Sequence, residues 1–550
     1  MSDSVGLRSL PEVRRYESTP VHISGVALMF VGIGMAISAV VALIDGGGGA
    51  AALGASAAIS AGVGSTMYRS TTASDRADSP LAFAAVAWAW LAVSIAGTMP
   101  YLFSGVIAWS EADNALFESI SGFTCTGATI LADIDGVAHG ILFFRSMTQW
   151  FGGMGLIVLA VSVLPALKVG GLELIANEAP GPTADRFTPR IAATARRLWM
   201  LYGAFTLAVT LALLAAGTSL FDAVAHAFTT VATGGFSTYS RSIAEFDSVA
   251  VELVLIAGMI TCGASFSIHW HLITRTRSQR RSYSELRWYL GLIGGAAVAL
   301  LVLNSGKLGF GDNVREAAFY AASLGSNTGY GLTDYAHEQL WTPSAQLVLL
   351  ALFVIGGMTG STAGGIKVLR LQIVARYAVR EVIRARHRRA VLPMRLGDTT
   401  VAEDVAARAL GFVLLYLGLA LAGGVLMTAL GNDLETGFSG AVSAIGTVGP
   451  ALGDAGPTNS ALAFERASRP VMMVLMLFGR LEVFPTMLMF VAAVRAGTRS
   501  RSVRQPAQPR RRRTARLGRP SAHASDQETE RSGVSGISSP KSSTRSARGS

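Results

Sequence analysis

The chain has 550 residues, of which only 15% are charged and 61 are glycine, with a mean hydropathy of +0.45. Ordinary soluble domains carry about 25% charged residues, so a string of soluble domains is excluded. The net charge of +11 sits at one end: Arg495 to the C-terminus carries 14 Lys+Arg against 3 Asp+Glu, and the first 494 residues carry 32 of each sign. That excludes a basic nucleic-acid-binding domain, whose charge lies on a folded face.

The start, MSDSVGLRSLPEVRRYESTP, is polar and precedes an apolar run too long for a signal-peptide core, so cleavage is not expected. A helix needs about 20 apolar residues to cross the hydrocarbon core. Ten such runs are predicted, at about 21–44, 48–67, 81–103, 140–166, 192–218, 250–274, 284–304, 344–366, 405–429 and 470–494. The second is the weakest, built from Ala, Gly and Ser. Basic segments at 196–200, 275–287 and 367–389, the N-terminal segment and the tail all fall on one side under this count. The alternate connections, such as 110–118 and 131–136, are neutral or acidic, so both termini are expected in the cytoplasm. The Ser/Arg/Pro-rich tail is too poor in apolar residues to fold alone, and Arg510 to Arg513 are expected to meet anionic lipid at ~1 kcal/mol per charge. Two cysteines, Cys125 and Cys262, exclude a disulfide framework and a Cys-based metal cluster.

Four connections on the opposite side share one layout: an amphipathic stretch of about three turns, a small polar cluster, then the next span. The clusters are Thr124-Cys125-Thr126-Gly127-Ala128, Ala232-Thr233-Gly234-Gly235-Phe236, Ser326-Asn327-Thr328-Gly329-Tyr330 and Gly446-Thr447-Val448-Gly449-Pro450. Gly127, Gly235, Gly329 and Gly449 recur at intervals of 108, 94 and 120 residues, which suggests duplicated units around a shared axis. The chemistry that wants this arrangement is cation dehydration. In lipid, unpaired backbone persists only where it is buried in protein or lines a watery path. A ring of four extended segments can aim carbonyl oxygens inward and replace a potassium ion's hydration shell. Glycine adopts backbone angles that a Cβ disfavours, and each short helix aims its negative C-terminal end at the centre. The alternative is packing glycines at helix contacts.

The stretch from Gly356 to Gly365 holds five glycines, Gly356, Gly357, Gly360, Gly364 and Gly365. At ~1 kcal/mol each in a helix interior, they should interrupt the span, unless they serve helix packing. A superficial phosphate-loop match ending at Lys367 fails, because Ile366 separates Gly365 from Lys367 and Val368 stands where Ser or Thr is needed. Arg480 lies inside an apolar run and should face protein or water; Glu482, two residues on, lies on a different face. A buried ion pair is the alternative for Arg480. His269-Trp270-His271 reads as an interfacial anchor and not as a metal site. Asp222 and His226 either tune the mouth of the second cluster or pack its helix. Carboxylates at 111, 113 and 118 either attract cations or form a solvated rim, the reading preferred here.

The stretches FESISGFTCTGATIL at 117–131, FFRSMTQWFGGMGLIVL at 143–159, DAVAHAFTTVATGGFST at 222–238, GGMTGSTAGGIKVLR at 356–370 and FGRLEVFPTMLMF at 478–490 resemble the TrkH/KtrB/HKT superfamily of potassium transporters, the TrkH-like branch most closely. The resemblance covers about 21–496. It implies an all-α polytopic membrane protein with four pseudo-repeats of helix, pore loop and helix around one pore. On that plan 1–20 is a cytoplasmic N-terminus and 21–80 holds two extra helices. The repeats are 81–190, 191–282, 283–395 and 396–496, and 497–550 is a basic tail. The resemblance also implies that Thr126, Gly127, Gly234, Gly235, Thr328, Gly329, Val448 and Gly449 bind potassium, supported by Cys125, Thr233, Asn327 and Thr447. Gly127, where sodium-preferring relatives carry serine, favours potassium; Cys125 departs from the commoner threonine and would place a thiol near the mouth. The glycine-rich loop would gate the pore, with Arg480 repelling cations or tethering that loop. Implied partners are a second copy of the chain and a cytosolic nucleotide-binding ring of the TrkA/KtrA type, docking on 275–287 and 367–389. No cofactor and no enzymatic activity are expected. The second functional reading is proton- or sodium-coupled potassium symport.

Overall fold

The structure, a computed structural model, describes residues 16–73, 79–163, 191–274, 280–387, 392–397 and 399–481, all within one compact unit that ends at Gly497. The basic tail and Glu482 lie outside the described residues. Two helices open the chain. In α1 (Thr19–Asp45) the first turn takes Pro20, and the helix stops at Gly46 in the left-handed region. The following α2 (Ala50–Ser70) is the span built from small residues. Its composition has a packing cause: a Cβ on Gly25 would lie 2.7 Å from the Gly64 carbonyl, and one on Gly64 would lie 2.6 Å from the Gly25 carbonyl. Small residues let two helices approach where lipid supplies no hydrophobic drive.

The rest repeats one pattern. The first unit is α3 (Ser79–Ala96) with its short continuation α4 (Met99–Ser104), then α5 (Ala112–Phe123) and α6 (His139–Val163). The second is α7 (Ile191–Ala215), α8 (Leu220–Val231), α9 (Val249–Gly263) and α10 (Phe266–Ile273). The third is α11 (Arg280–Leu303), α12 (Phe310–Gly325), α13 (Pro343–Val354) and α14 (Val368–Arg386). The fourth is α15 (Glu403–Ala429), α16 (Leu434–Gly446) and α17 (Arg469–Arg480). The short helices α5, α8, α12 and α16 are the most deeply buried and make up the centre. Ser219 and Asp433 cap α8 and α16, accepting from Asp222 N and Thr436 N, which satisfies donors a helix start leaves open.

Among the described residues six helices are long and apolar enough to cross a membrane, and the pair α9–α10 makes a seventh if taken as one span. Two expected spans are interrupted. The run 250–274 bends by 99° between α9 and α10. The run 344–366 is helical only to Val354, after which an irregular loop runs to Ile366. The interruptions have one cause, because the loop fills the bend: Met358 N donates to Gly263 O at 2.9 Å and Phe266 N donates to Gly360 O at 3.1 Å. The loop closes on itself through Gly356 N to Ile366 O (2.9 Å) and Ile366 N to Val354 O (3.0 Å). Backbone released from helix inside a membrane protein is thus paired with other backbone.

Candidate functional site

The four short helices end alike. The N–H groups of Cys125, Thr233, Asn327 and Thr447 bond to the carbonyls of Gly122, Thr230, Leu324 and Ala444 at 3.0 to 3.2 Å. The next N–H groups, on Thr126, Gly234, Thr328 and Val448, bond to the carbonyls of Ser121, Thr229, Ser323 and Ser443 at 2.8 to 3.0 Å. This double closure turns the chain through a left-handed residue. That residue is usually glycine; here Cys125, Thr233, Asn327 and Thr447 hold φ of 56°, 52°, 57° and 52°. Non-glycine residues there cost about 1–3 kcal/mol each and persist only where the surroundings over-determine them. Two residues on, Gly127, Gly235, Gly329 and Gly449 are left-handed again, at φ of 85°, 77°, 82° and 104°.

The loops meet in a ring. A Cβ on Gly127 would collide with the Gly234 carbonyl oxygen, one on Gly235 with that of Thr328, and one on Gly329 with that of Val448. One on Gly449 would lie 2.6 Å from the Thr126 carbonyl oxygen, which closes the circle. Each glycine therefore faces the carbonyl that precedes the glycine of the next loop, in cyclic order. Gly127, Gly235, Gly329 and Gly449 all line one cavity. The eight residues expected to bind the ion and the four expected to support them come together here.

The side chains behind the ring differ from unit to unit. In the first, Arg145 on α6 donates to Glu118 on α5 (2.7 Å) and to Ser237 O (2.8 Å), and its guanidinium lies 3.5 Å from the Phe236 ring centre. Glu118 also accepts from Ile130 N at 2.7 Å. Arg145 and Glu118 are 1% and 0% exposed, so Glu118 is no part of a solvated rim; its carboxylate is spent on Arg145 and on the first loop. Glu111 and Asp113 do sit at a rim. Arg466 bonds to Asp113 (2.6 Å), and that hydrogen bond holds the Asp113 carboxyl below the usual carboxylate range. In the second unit Asp222 accepts from Thr238 Oγ1 (2.7 Å) and Tyr239 OH (2.9 Å), and His226 Nε2 lies 3.0 Å from Ser237 Oγ. Both brace the exit of the second loop. In the third, Glu316 accepts from Thr333 Oγ1 at 2.9 Å.

Cys125 is 1% exposed, and its thiol donates to Gln149 O at 3.2 Å. It is therefore packed behind the ring and not at the mouth. Neither Arg145 nor Gln149 stands out in the sequence. The available signal was an arginine and an amide four residues apart on one face of an apolar span. His269 Nε2 donates to Thr261 O (2.8 Å), and no metal-binding group of His, Cys, Asp or Glu occurs among the described residues.

On the side of the ring toward α14 lies the glycine-rich loop. Thr362 Oγ1 donates to Val231 O at the end of α8 (3.0 Å), and Thr233 Oγ1 donates to Thr362 Oγ1 at 3.3 Å. A Cβ on Gly364 would collide with Thr447 Oγ1, and one on Gly365 would lie 3.1 Å from Asn327 Nδ2. The loop thus touches the second, third and fourth ring segments. Gly356 packs on the Gly364 backbone, Gly357 on Gly263 O, and Gly360 turns at φ 79°. Arg480 donates to Thr362 O (2.7 Å) and to Gly152 O on α6 (2.6 Å), bridging the loop to the first unit. From the other side Glu285 on α11 accepts from Thr359 N at 2.6 Å.

Fold and site together define a multi-span α-helical membrane protein built around a constriction of four backbone loops. A family model described as TrkH, cation transport protein, matches residues 50–500, and the chain belongs to that family. The Trk system potassium uptake protein TrkH of Halomonas elongata is 34% identical over 484 residues, covering 86% of this chain and 98% of its own length. The protein of the same name from Escherichia coli K12 is 35% identical over 410 residues, covering 73% and 83%. The crystal structure of the potassium transporter TrkH from Vibrio parahaemolyticus aligns with a TM-score of 0.75 at 29% identity, over 86% of this chain and 98% of that one.

Proposed function

We propose that this chain takes up potassium across the bacterial cytoplasmic membrane through the ring of four loops. The observation that carries this reading is the cyclic approach of Gly127, Gly235, Gly329 and Gly449 to the carbonyls of Gly234, Thr328, Val448 and Thr126. Carbonyls held in a ring replace the hydration shell of a dehydrating cation, and the C-terminal ends of α5, α8, α12 and α16 add negative potential there. Uptake runs down the membrane potential, at ~2.3 kcal/mol per charge per 100 mV. The loop from Gly356 to Gly365 is the gate, held against three ring segments and locked by Arg480 through Thr362 and Gly152. Support for the gate reading is that Arg480 ties the loop to the first unit on one side, while Met358 N to Gly263 O and Phe266 N to Gly360 O hinge it to α9 and α10 on the other. Both termini face the cytoplasm, a second copy completes the assembly, and a cytosolic nucleotide-binding ring docks on the basic segments 275–287 and 367–389. In proteoliposomes carrying the purified chain, an imposed inside-negative potential should drive rubidium-86 uptake that external potassium competes away and external sodium does not. Equal competition by sodium would refute the reading.

A further inference from the structure

At the position before the ring glycine, three loops carry a β-branched residue: Thr126, Thr328 and Val448. The second loop carries Gly234. β-Branched side chains stiffen the backbone they sit on, and glycine does the reverse. Gly234 is not in the left-handed region, so its own conformation does not demand glycine. What demands it is space. A Cβ there would lie 2.5 Å from Gln149 Cδ, 2.5 Å from Oε1 and 2.9 Å from Nε2. The Gln149 carboxamide occupies the place of the missing side chain.

It also bonds to the loop on both sides of Gly235: Nε2 donates to Gly234 O at 2.7 Å, and Oε1 accepts from Phe236 N at 3.1 Å. Gln149 is 0% exposed. One turn away on α6, Arg145 holds Ser237 O and the Phe236 ring, so a single helix face supports the second loop from Gly234 to Ser237. On the reading of the ring as a potassium filter, we infer that Gln149 is a positioning residue that sets ion selectivity. It serves as the external side chain of Gly234 and fixes a ring carbonyl that would otherwise be free to turn. A carbonyl free to turn follows a smaller ion inward; a carbonyl held at its oxygen does not, so the fixed ring discriminates against sodium.

The test is a double-mutant cycle read as the potassium-to-sodium permeability ratio in proteoliposomes. Gln149→Ala should lower the ratio about tenfold, the effect of one or two net hydrogen bonds. Gly234→Thr alone should also impair the ratio, because the new side chain meets the carboxamide. Gln149→Ala with Gly234→Thr places a β-branched residue in the vacated space, as in the other three loops, and should recover most of the ratio. The double variant keeps the test open should a single variant fail to insert. A role in packing alone would lower both ion fluxes together and leave the ratio unchanged. The inference is overturned by a wild-type ratio in Gln149→Ala, or by a double variant no more selective than the poorer single variant. Failure of the wild-type chain to prefer potassium would instead overturn the pore reading itself.

Discussion

Arg480→Ala removes two charge-assisted hydrogen bonds, to Thr362 O at 2.7 Å and to Gly152 O at 2.6 Å. Bonds of this kind contribute about 1.5–3 kcal/mol each. The low end suits Arg480, which is only half-buried and rehydrates when it lets go. On the proposed gate, losing both bonds should shift the closed-to-open balance by ~3 kcal/mol, roughly a hundredfold in the open population at 1.4 kcal/mol per tenfold. Rubidium-86 flux through reconstituted protein in the absence of any partner reads that population directly. Arg480→Lys separates the two roles the sequence left open. Lysine keeps the positive charge below the ring but lacks the planar fork that spans two carbonyls. A tether predicts that Lys behaves much like Ala; a purely electrostatic barrier predicts that Lys behaves like Arg. Basal flux within twofold of wild type in folded Arg480→Ala protein would refute the lock.

Gly329→Ala should abolish selective flux, because its Cβ falls on the Val448 carbonyl at a φ of 82°; Gly54→Ala, with open space around it, should be silent in the same flux assay. Glu118→Gln leaves the Arg145 charge buried without its counter-ion, a loss of about 3–5 kcal/mol. It should appear as a lower thermal midpoint by tryptophan fluorescence, and an unchanged midpoint would mean that Arg145 finds other compensation. Cys125 is enclosed and bonded to Gln149 O, so a small thiol reagent applied to the Cys262→Ala protein should leave flux unchanged; block relieved by Cys125→Thr would place the thiol in the pathway after all. Asp113 is depressed by its hydrogen bond from Arg466, so its contribution is full above the ordinary carboxylate pKa and fades as pH falls through the lower folded value. The thermal midpoints of wild type and Asp113→Asn should therefore differ at neutral pH and converge in acid; a difference that persists in acid counts against the pair.

The four loops were legible because each glycine follows a short amphipathic helix at matching places in four stretches. The interruption at Gly356 to Gly365 was legible from glycine density alone. The closure of the ring was not, since it depends on which carbonyl each glycine meets, and those partners lie in other units, from roughly ninety to more than three hundred residues away. The left-handed turns at Cys125, Thr233 and Thr447 were hidden too, because neither cysteine nor threonine favours that region; burial and two backbone bonds impose it. The bend in 250–274 had no local sign: Gly263, Ala264 and Ser265 are ordinary residues, and the wedge comes from a segment ninety-odd residues later. Glu118 shares one acidic stretch with Glu111 and Asp113, which in sequence reads as a single rim. The helix begins at Ala112, however, and Glu118 turns inward on it.

The most direct measurement is the position of a heavy alkali cation in the folded protein. A crystal grown in rubidium and read by anomalous scattering should show density on the axis of the ring, among the carbonyl oxygens of Thr126, Gly234, Thr328 and Val448. Density found only away from that ring, with the four loops ordered, would contradict the claim that these loops form the ion pathway.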